Sequence, residues 1–303
     1  MLCLLNAIQT KRKDSMRNEN CPVCLNELSP GYFTWHLKCK KCAYEKANLK
    51  PSINSNAAHQ LIDENARATG LRELRQSNFK DILKEIKTIK PNGGSLLDVG
   101  CAHGWFLEIA QPDFKVLGIE PDHAVYEITK KQGYPLLEGY FPDVLADDLL
   151  FDIIVFNDVI EHIPSVIDTL NACRKHLKED GILVLNLPTS SGFFYKLSKI
   201  LVKLNLPKPF DRMWQKDLPS PHLHYFNIEN LIQLTNKHGF KAIYSGSLPS
   251  IRSSGLYKRI SYVDDKMKLL SFFIYITVML SMPFIKLFSS DIALVIVGKE
   301  NKY

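Results

Sequence analysis

SLLDVGCAHGWF, residues 95–106, is an apolar run of strand length that leads into a turn with two glycines and then into a helical pattern. Glycine suits such a turn because the backbone bends tightly and can approach a ligand with no side chain in the way. In doubly wound α/β folds, ligands bind in the crevice where such strands end. The segment alone predicts a strand–turn–helix unit and leaves open whether the turn holds a nucleotide.

The next predicted strand, VLGIEPD at residues 116–122, ends with an acid. Glu120 follows Gly100 by 20 residues. A carboxylate at this distance can accept hydrogen bonds from both hydroxyls of a ribose. An exposed strand-end carboxylate would be the simpler explanation of Glu120 by itself. The glycine turn and the acid at this spacing together favour an adenosine ligand.

Beyond residue 93, apolar runs of strand length alternate with helical patterns, which predicts a parallel sheet covered on both faces. The predicted strands are 95–101, 115–121, 135–140, 152–157, 182–187, 241–247 and 292–297. The predicted helices are 57–89, 104–110, 123–132, 165–177 and 228–238. The stretch between residues 187 and 228, rich in proline, lysine and aromatic residues, is predicted to be largely irregular.

Four segments of the chain resemble, in their order, the motif series of class I S-adenosylmethionine-dependent methyltransferases. They are LLDVGCAHGWFLEIA, GIEPD, FDIIVFNDVIEHI and GILVLNLP. The resemblance covers about residues 93–190. It implies an α/β fold with a Rossmann-like, seven-stranded, mostly parallel sheet in the order 3-2-1-4-5-7-6. The usual turn of the family is G-x-G-x-G, and Ala102 stands at its middle glycine. We expect this small residue to be tolerated.

The resemblance also implies a set of residues that contact the cofactor, S-adenosylmethionine. Asp98 would orient the turn and the methionine amino group, and Glu120 would bind the ribose hydroxyls. Residues 139–140 would lie near the adenine, and residues 157–158 would face the methionine end. The full set is Asp98, Gly100, Cys101, Ala102, Gly104, Glu120, Pro121, Gly139, Tyr140, Asn157 and Asp158.

Two C-x-x-C pairs lie near the N-terminus with 14 residues between them. Knuckles at this distance match a tetrahedral zinc site with four thiolate ligands. The site would be closed, so we expect a structural Zn²⁺ in an N-terminal zinc ribbon. We expect Tyr32, Phe33 and Trp35 to supply the small core of the ribbon, and His36 is a further candidate ligand that four thiolates make unnecessary. The predicted ligands are Cys21, Cys24, Cys39 and Cys42.

Three histidines are candidates for a catalytic base. Methyl transfer mainly requires that acceptor and donor be held at attack distance, and a hydroxyl or amine acceptor can also need a base. His162 follows the fourth predicted strand of the sheet, and His222 and His224 lie in the segment PHLHYF. Glu161 and His162 are equally compatible with a purely structural hydrogen-bonded pair. The sequence therefore names candidates without assigning the base.

Two segments predict contact with a membrane surface. Residues 193–204 mix apolar residues with lysines at helical spacing, the pattern of an interfacial helix on anionic lipid. Residues 269–285 (LLSFFIYITVMLSMPFI) carry no charge, and about 17 residues is the lower limit for one crossing of a bilayer. A single crossing would separate the last strand from its sheet. The segment therefore either dips into one leaflet or packs on protein, as a buried helix or an oligomer interface.

The chain divides into a zinc ribbon at 1–50, a helical linker at 51–92 and a methyltransferase domain at 93–303 with inserts near 190–220 and 260–290. Its 303 residues are 46% hydrophobic and 23% charged, an ordinary globular composition. The net charge of +6 is compatible with an anionic partner but does not require one. Scattered remaining cysteines and the lack of a signal-peptide pattern favour the cytoplasm, with peripheral association at the inner face of the membrane.

Three functions fit these observations. The first is a peripheral membrane methyltransferase acting on an oxygen of a glycan, a lipid-linked intermediate or another small-molecule acceptor. The second is an RNA methyltransferase that uses the zinc ribbon and would bind RNA in a salt-dependent manner. We do not expect nucleic acid to be the partner, because no Asn-Pro-Pro-Tyr-type motif occurs where Asn157 and Asp158 stand. The third is a non-catalytic zinc-binding scaffold. The sequence leaves the oligomeric state open.

Overall fold

The computed structural model describes residues 19–52, 64–261 and 268–300, whose strands form two sheets. The strands are β1 Ser29–Pro30, β2 His36–Lys38, β3 Glu45–Ala47, β4 Ser95–Val99, β5 Lys115–Glu120, β6 Leu136–Glu138, β7 Phe151–Asn157, β8 Leu177–Pro188, β9 His224–Tyr225, β10 Phe240–Leu248 and β11 Ile292–Lys299. The helices are α1 Glu64–Ile89, α2 Trp105–Ala110, α3 His123–Lys130, α4 Val166–His176, α5 Phe193–Lys203, α6 Lys208–Met213, α7 Ile228–Lys237, α8 Leu256–Ser261 and α9 Lys268–Ile285, and a 3₁₀ turn spans Ile160–His162.

The larger sheet has seven strands in the order β6-β5-β4-β7-β8-β11-β10. Strands β4 to β8 run parallel, and β11 is antiparallel to both of its neighbours. Counted along this domain, the order is 3-2-1-4-5-7-6, so the predicted fold class is confirmed. Val99 pairs with Ile119 and with Phe156, so the carboxyl ends of β4, β5 and β7 meet at one edge of the sheet.

Helices cover both faces of this sheet with regularly spaced apolar residues. Helix α1 buries a stripe at steps of three and four residues, formed by Phe79, Ile82, Leu83 and Ile86. This stripe packs on the face that carries Ile153 and Val155 of β7. On the other face, Leu170 of α4, Leu231 of α7 and Leu183 of β8 belong to one buried apolar cluster. The continuous apolar strands thus have partners on both sides, as the pattern of the sequence predicted.

The smaller sheet joins the N-terminal ribbon to the large domain. Its order is β1-β2-β3-β9, and in its last pair Glu45 lies opposite Tyr225. The Ala47 N–H also donates to the Leu223 carbonyl at 2.9 Å. Residues of the large domain therefore supply the outer strand of the ribbon sheet.

The aromatic residues between the knuckles pack differently from the expectation. Phe33 and Trp35 stack on each other and both contact Phe210 of α6. Trp35 also meets Trp214 edge to face. These rings form the contact between ribbon and domain instead of a core inside the ribbon. Residues too few to bury a core of their own gain it from the neighbouring helix.

Other differences concern element boundaries and the stretch after β8. Strand β8 begins at Leu177, five residues before the predicted start. In the stretch after it, α5 agrees with the helical pattern of residues 193–204, whereas α6 and β9 form where irregular structure was predicted. The first seven residues of the predicted helix 57–89 and residues 1–18 of the ribbon region lie outside the described residues. Within the described ranges, no helix combines the length and apolarity that a membrane span requires.

Candidate functional site

The turn after β4 adopts left-handed backbone conformations at three positions. Gly100 has a φ of 70°, Ala102 of 46° and Gly104 of 72°. A Cβ at position 100 would lie 2.7 Å from Val159 Cγ2, so glycine is required there by the backbone and also by a neighbouring loop. Ala102 occupies the region that glycine prefers, which explains why glycine is usual at this position in the family.

Backbone hydrogen bonds hold the turn against β5. The N–H groups of Gly100 and Cys101 both donate to the Ile119 carbonyl, at 2.8 and 3.0 Å. Below the turn, the Cys101 side chain is buried, and a Cβ on Gly118 would lie 2.7 Å from its Sγ. Thr129, on α3, donates from its Oγ1 to the Ala102 carbonyl at 2.7 Å. These contacts fix the shape of the turn before any ligand binds.

Glu120 is buried at the carboxyl end of β5 and faces this turn. Its Oε2 accepts from the Ala102 N–H and its Oε1 from the Asp122 N–H, both at 2.8 Å. Each carboxylate oxygen has a second lone pair, so the carboxylate can also accept hydrogen bonds from two hydroxyls. The Asp122 side chain caps α3, which ties the strand end to the helix. Glu120 is therefore held in a fixed orientation that suits a diol.

Asp98 and Asn157 lie side by side on the neighbouring strands β4 and β7. Asn157 Nδ2 is 3.4 Å from Asp98 Oδ1, and Asn186 Nδ2 is 3.4 Å from Asn157 Oδ1. Burial raises the pKa of Asp98 to about 8; the Asn157 amide lowers it in part, and the charge of Glu120 adds to the rise. A buried carboxylate in this state favours a cationic ligand group such as an ammonium.

The remaining predicted contacts frame the crevice. Gly139 follows β6 with a φ of 132° and donates its N–H to the Glu120 carbonyl at 3.1 Å. Tyr140 is the next residue along the chain, and its side chain is more than half exposed. Asp158 has a φ of 55° and lies 3.6 Å from Arg75 of α1. The structure thus brings the predicted cofactor residues together around the ends of β4, β5, β6 and β7, while their individual contacts with a ligand stay predictions.

Two of the three candidate histidines lie together beside this crevice. His162 and His222 have ring centroids 4.7 Å apart, and Glu161 Oε1 lies 3.8 and 4.0 Å from their Nε2 atoms. Glu161 is fully buried, which raises its pKa well above the usual range with a further contribution from Asp158. In the described part of the chain, neither oxygen of Glu161 has a hydrogen-bond partner.

The hydrogen bonds of the two histidines fix their tautomers. His162 Nδ1 lies 2.8 Å from the Pro221 carbonyl, which only accepts, so Nδ1 carries the proton and Nε2 holds a lone pair. Gln215 Nε2 donates to His222 Nε2 at 2.8 Å. The His162 side chain keeps 16% of its surface exposed, twice the fraction of His222. His162 can therefore accept a proton at the edge of the crevice.

His224 is separate from this pair and belongs to the contact with the ribbon. Its Nδ1 bonds the Tyr44 hydroxyl and its Nε2 donates to the Ile163 carbonyl at 2.9 Å. Burial lowers the pKa of His224 to about 4. With both nitrogens engaged and the ring buried, His224 holds the ribbon against the 3₁₀ turn.

A family model for a methyltransferase domain matches residues 71–245, which is more than half of the chain. The chain belongs to this methyltransferase family. The resemblance to class I S-adenosylmethionine-dependent methyltransferases is thereby confirmed.

Curated relatives of this methyltransferase are named ubiquinone biosynthesis O-methyltransferases. That of Haemophilus ducreyi is 28% identical over 43% of this chain and 59% of its own length. The mitochondrial protein of Bos taurus is 24% identical over 58% of this chain and 52% of its own length. The chain thus spans between half and three fifths of the length of these relatives.

Solved structures share the fold of the methyltransferase. A protein named as a sarcosine dimethylglycine methyltransferase from Galdieria sulphuraria has a TM-score of 0.52 at 12% identity and covers 77% of this chain and 89% of its own. Phosphoethanolamine N-methyltransferase 2 of Haemonchus contortus, solved with S-adenosyl-L-methionine, has a TM-score of 0.51 at 13% identity, with coverages of 73% and 53%. At these identities the likeness concerns the fold.

The four ribbon cysteines of the methyltransferase form two matching knuckles. Leu25 and Ala43, which follow the second cysteine of each pair, have φ values of 62° and 60°. The Leu25 N–H donates to the Cys21 carbonyl and the Ala43 N–H to the Cys39 carbonyl. All four Sγ atoms lie within 4.8 Å of one another, and tetrahedral ligands at about 2.3 Å from Zn²⁺ would be roughly 3.8 Å apart. The donor set and its spacing fit a zinc ion.

His36, the competing zinc ligand, has another role. It is buried, and its Nε2 lies 2.8 Å from Glu45 Oε2. Glu45 also accepts from the Tyr195 hydroxyl at 2.9 Å and from Lys199 Nζ at 2.7 Å, both on α5. The pKa of Glu45 stays below its usual value although burial opposes this, because His36 and Lys199 stabilise the carboxylate. This network connects the ribbon to α5.

Several residues around the site could not be found from sequence. Val159 packs on Gly100 from 59 positions away, and Asn186 reaches Asn157 only because β7 and β8 pair. Arg75 of α1 pairs with Asp158 after β7, and Gln215, on the turn after α6, bonds His222. None of these residues belongs to a recognisable sequence motif, because each acts through a tertiary contact.

Proposed function

We propose that the protein transfers the methyl group of S-adenosylmethionine to an oxygen of a glycan or lipid-linked intermediate at the membrane surface. The observation that carries the proposal is the fixed Glu120 carboxylate beside the turn at Gly100 and Gly104, with the buried carboxyl of Asp98 next to it. Glu120 would bind the ribose hydroxyls, and Asp98 would face the amino group. When bound, S-adenosylmethionine supplies a methyl group on a positively charged sulfur.

The chain itself must orient the acceptor and take its proton. Nε2 of His162 holds a lone pair at the edge of the crevice, so it can receive the proton of an acceptor hydroxyl as the oxygen is methylated. The imidazolium formed in this way would lie 3.8 Å from Glu161 Oε1 and would keep the Pro221 carbonyl as its second partner. The O-methyltransferase names of the curated relatives support oxygen as the methylated atom.

Zinc has a structural place in this proposal. Cys21, Cys24, Cys39 and Cys42 would bind one Zn²⁺ through four thiolates, and the closed site leaves no position for a substrate. The metal would hold the two knuckles together and, through β3 and β9, would support the segment that carries His222. Metal analysis of the purified protein should find one zinc per chain.

The test separates binding from proton transfer. Calorimetry with S-adenosylhomocysteine should give one site per chain. His162→Gln should reduce the turnover of methyl-labelled S-adenosylmethionine on a total lipid and glycan extract by at least about 100-fold, within the range for a lost base, and should keep the affinity for S-adenosylhomocysteine. His238→Gln, at the end of α7, is the matched control. Undiminished turnover in His162→Gln would remove His162 from this role, and the absence of binding would remove the function.

A further inference from the structure

Helix α9 exposes its apolar residues instead of burying them. One stripe, which includes Ser271, Tyr275 and Met282, packs on the protein, and the Tyr275 ring meets Tyr257 of α8. A surface helix of a globular protein normally presents polar residues on its opposite side. Here the opposite side consists of Leu269, Leu270, Phe272, Phe273, Ile274, Ile276, Leu280 and Phe284.

The apolar side of α9 continues onto α5. Phe288 lies just beyond α9, its ring contacts Phe193 at 4.8 Å, and the Phe193 N–H donates to the Ser289 carbonyl. We call the joined region the apolar surface. It consists of the exposed residues of α9 given above together with Leu287, Phe288, Leu197, Ile200, Leu204 and Leu206.

The size of the apolar surface indicates a partner. Leu280 and Phe284 are 71% and 68% exposed, and the other members are between about a third and four fifths exposed. With roughly 200 Å² for a full apolar side chain, the fourteen residues expose on the order of 1,500 Å². The largest apolar patch of a typical monomer is roughly 300–600 Å².

The charges around the apolar surface favour anionic lipid as this partner. Residues 193–210 and 268–290 contain no aspartate or glutamate. Among the residues of these segments whose exposure the structure describes, the exposed cations are Lys196, Lys203, Lys208 and Lys286. A second copy of the chain across a two-fold axis would place lysines against lysines, whereas an anionic bilayer attracts them and accepts the apolar side chains.

The attachment of α9 at both ends determines how it can meet a bilayer. Near its N-terminal end, Tyr275 contacts α8, and α8 packs on α1. Beyond its C-terminal end, β11 enters the sheet, with Ile292 opposite Pro188. Both ends therefore belong to one body on one side of the membrane, so α9 can lie in one leaflet and cannot cross to the other.

The apolar surface borders the edge of the sheet that carries the cofactor residues. Helix α5 follows β8 at the end where Asn186 meets Asn157. On the other flank, the hydroxyl of Ser254, just before α8, donates to Glu73 of α1. Two residues further along α1, Arg75 pairs with Asp158. A bilayer against α5 and α9 would therefore lie beside the crevice instead of on the far side of the domain.

We propose that the apolar surface docks the protein on an anionic bilayer and that the methyl acceptor is an amphiphile presented at the headgroup level of that bilayer. The acceptor part rests on the proposed function, whereas the docking part does not. Because the lysines flank the apolar residues, docking should need both lipid charge and the exposed side chains. The geometry implies that the acceptor reaches His162 from the membrane side.

Vesicle flotation tests the docking part without any enzymatic activity. The full chain should float with vesicles of equal parts phosphatidylcholine and phosphatidylglycerol and should bind vesicles of phosphatidylcholine at least ten times more weakly. Leu280→Ser/Phe284→Ser and, separately, Lys203→Glu/Lys286→Glu should each lose at least ten-fold in partition. The control Leu150→Ser/Ile243→Ser changes exposed apolar residues outside the apolar surface and should float like the unchanged chain.

Two further measurements make each outcome decisive. Calorimetry with S-adenosylhomocysteine should give the same affinity in all variants, which shows that they are folded and that a loss of flotation is not a loss of the cofactor site. If Leu280→Ser/Phe284→Ser floats with the vesicles as well as the unchanged chain does, the docking proposal is overturned. So does a lipid-free dimer that these substitutions convert to a monomer, because the surface would then serve self-association.

The acceptor part is tested by the fate of the label. With methyl-labelled S-adenosylmethionine and total membranes, label should enter the fraction extracted by organic solvent. Leu280→Ser/Phe284→Ser should reduce this incorporation at least ten-fold, and the control should not. Label that enters only water-soluble products overturns the acceptor assignment while the flotation result stands.

Discussion

Replacing Glu120 by alanine would remove the group that we expect to bind the ribose. The carboxylate is buried and held by the N–H groups of Ala102 and Asp122, so it is oriented before the ligand arrives. Hydrogen bonds to a charged group contribute about 1.5–3 kcal/mol each, and two of them give about 3–6 kcal/mol. At about 1.4 kcal/mol for each factor of ten, the expected loss is roughly 100-fold to 10,000-fold in affinity. Water entering the space should bring the effect towards the lower limit.

The measurement is calorimetric titration of Glu120→Ala with S-adenosylhomocysteine. The two N–H groups lose their acceptor, so the variant should also unfold more easily, by about 1–3 kcal/mol. A thermal melt separates this loss from the loss of affinity. Asp147→Ala is the control, since Asp147 is an exposed carboxylate that pairs with Lys175 away from the crevice. A folded Glu120→Ala variant that binds with unchanged affinity would refute the assignment of the ribose site.

Three more predictions follow from single features. In thermal melts, Gly100→Ala should destabilise the fold by about 1–3 kcal/mol more than Gly133→Ala. Both positions have a positive φ, but Val159 packs against Gly100 only. An equal loss of stability in the two variants would contradict this explanation. A chelator or Cys39→Ser should abolish methyl transfer before it weakens the binding of S-adenosylhomocysteine. If transfer and binding were lost together, zinc would support the cofactor site as well, contrary to the structural role proposed for it. Folding raises the pKa of Asp98 from 3.8 to about 8, so the folded state favours the neutral acid. The contribution of Asp98 to the free energy of unfolding is complete below about pH 4 and is lost as the pH rises through about 8. Urea unfolding should therefore show the free energy of unfolding falling by at most about 1.4 kcal/mol per pH unit over this range, and Asp98→Asn should lack this slope.

The sheet and the cofactor residues could be predicted because local patterns specify them. Strand-length apolar runs gave the order of elements, and the distance from Gly100 to Glu120 placed both at one edge of the sheet. Ala102 was a departure from the family turn whose conformational consequence, a φ of 46°, no pattern indicates. The second reason for glycine at position 100, contact with Val159, depends on a loop that only the folded sheet brings near.

The stretch after β8 could not be predicted in the same way. Its prolines and lysines indicate an irregular loop, yet α6 forms because Phe210 and Trp214 pack on ribbon residues more than 170 positions earlier. The same reason separates the histidines. His222 and His224 are two residues apart in one short motif, and in a regular strand this spacing would place both side chains on one face. The strand β9 begins only at His224, however, so His222 lies before it and is directed elsewhere. His222 meets His162, and His224 meets Tyr44 of the ribbon.

The pairing of β3 with β9 has a consequence for how the chain is made and divided. The knuckles are synthesised first, but the edge of their sheet is completed only after residues 224–225 have left the ribosome. Until then β3 presents unpaired backbone groups of the kind that invite pairing with other chains. The N-terminal segment is therefore poorly suited to transfer as a cassette onto another protein. Its excision would uncover Tyr225 and Trp214 and leave the remainder prone to aggregation.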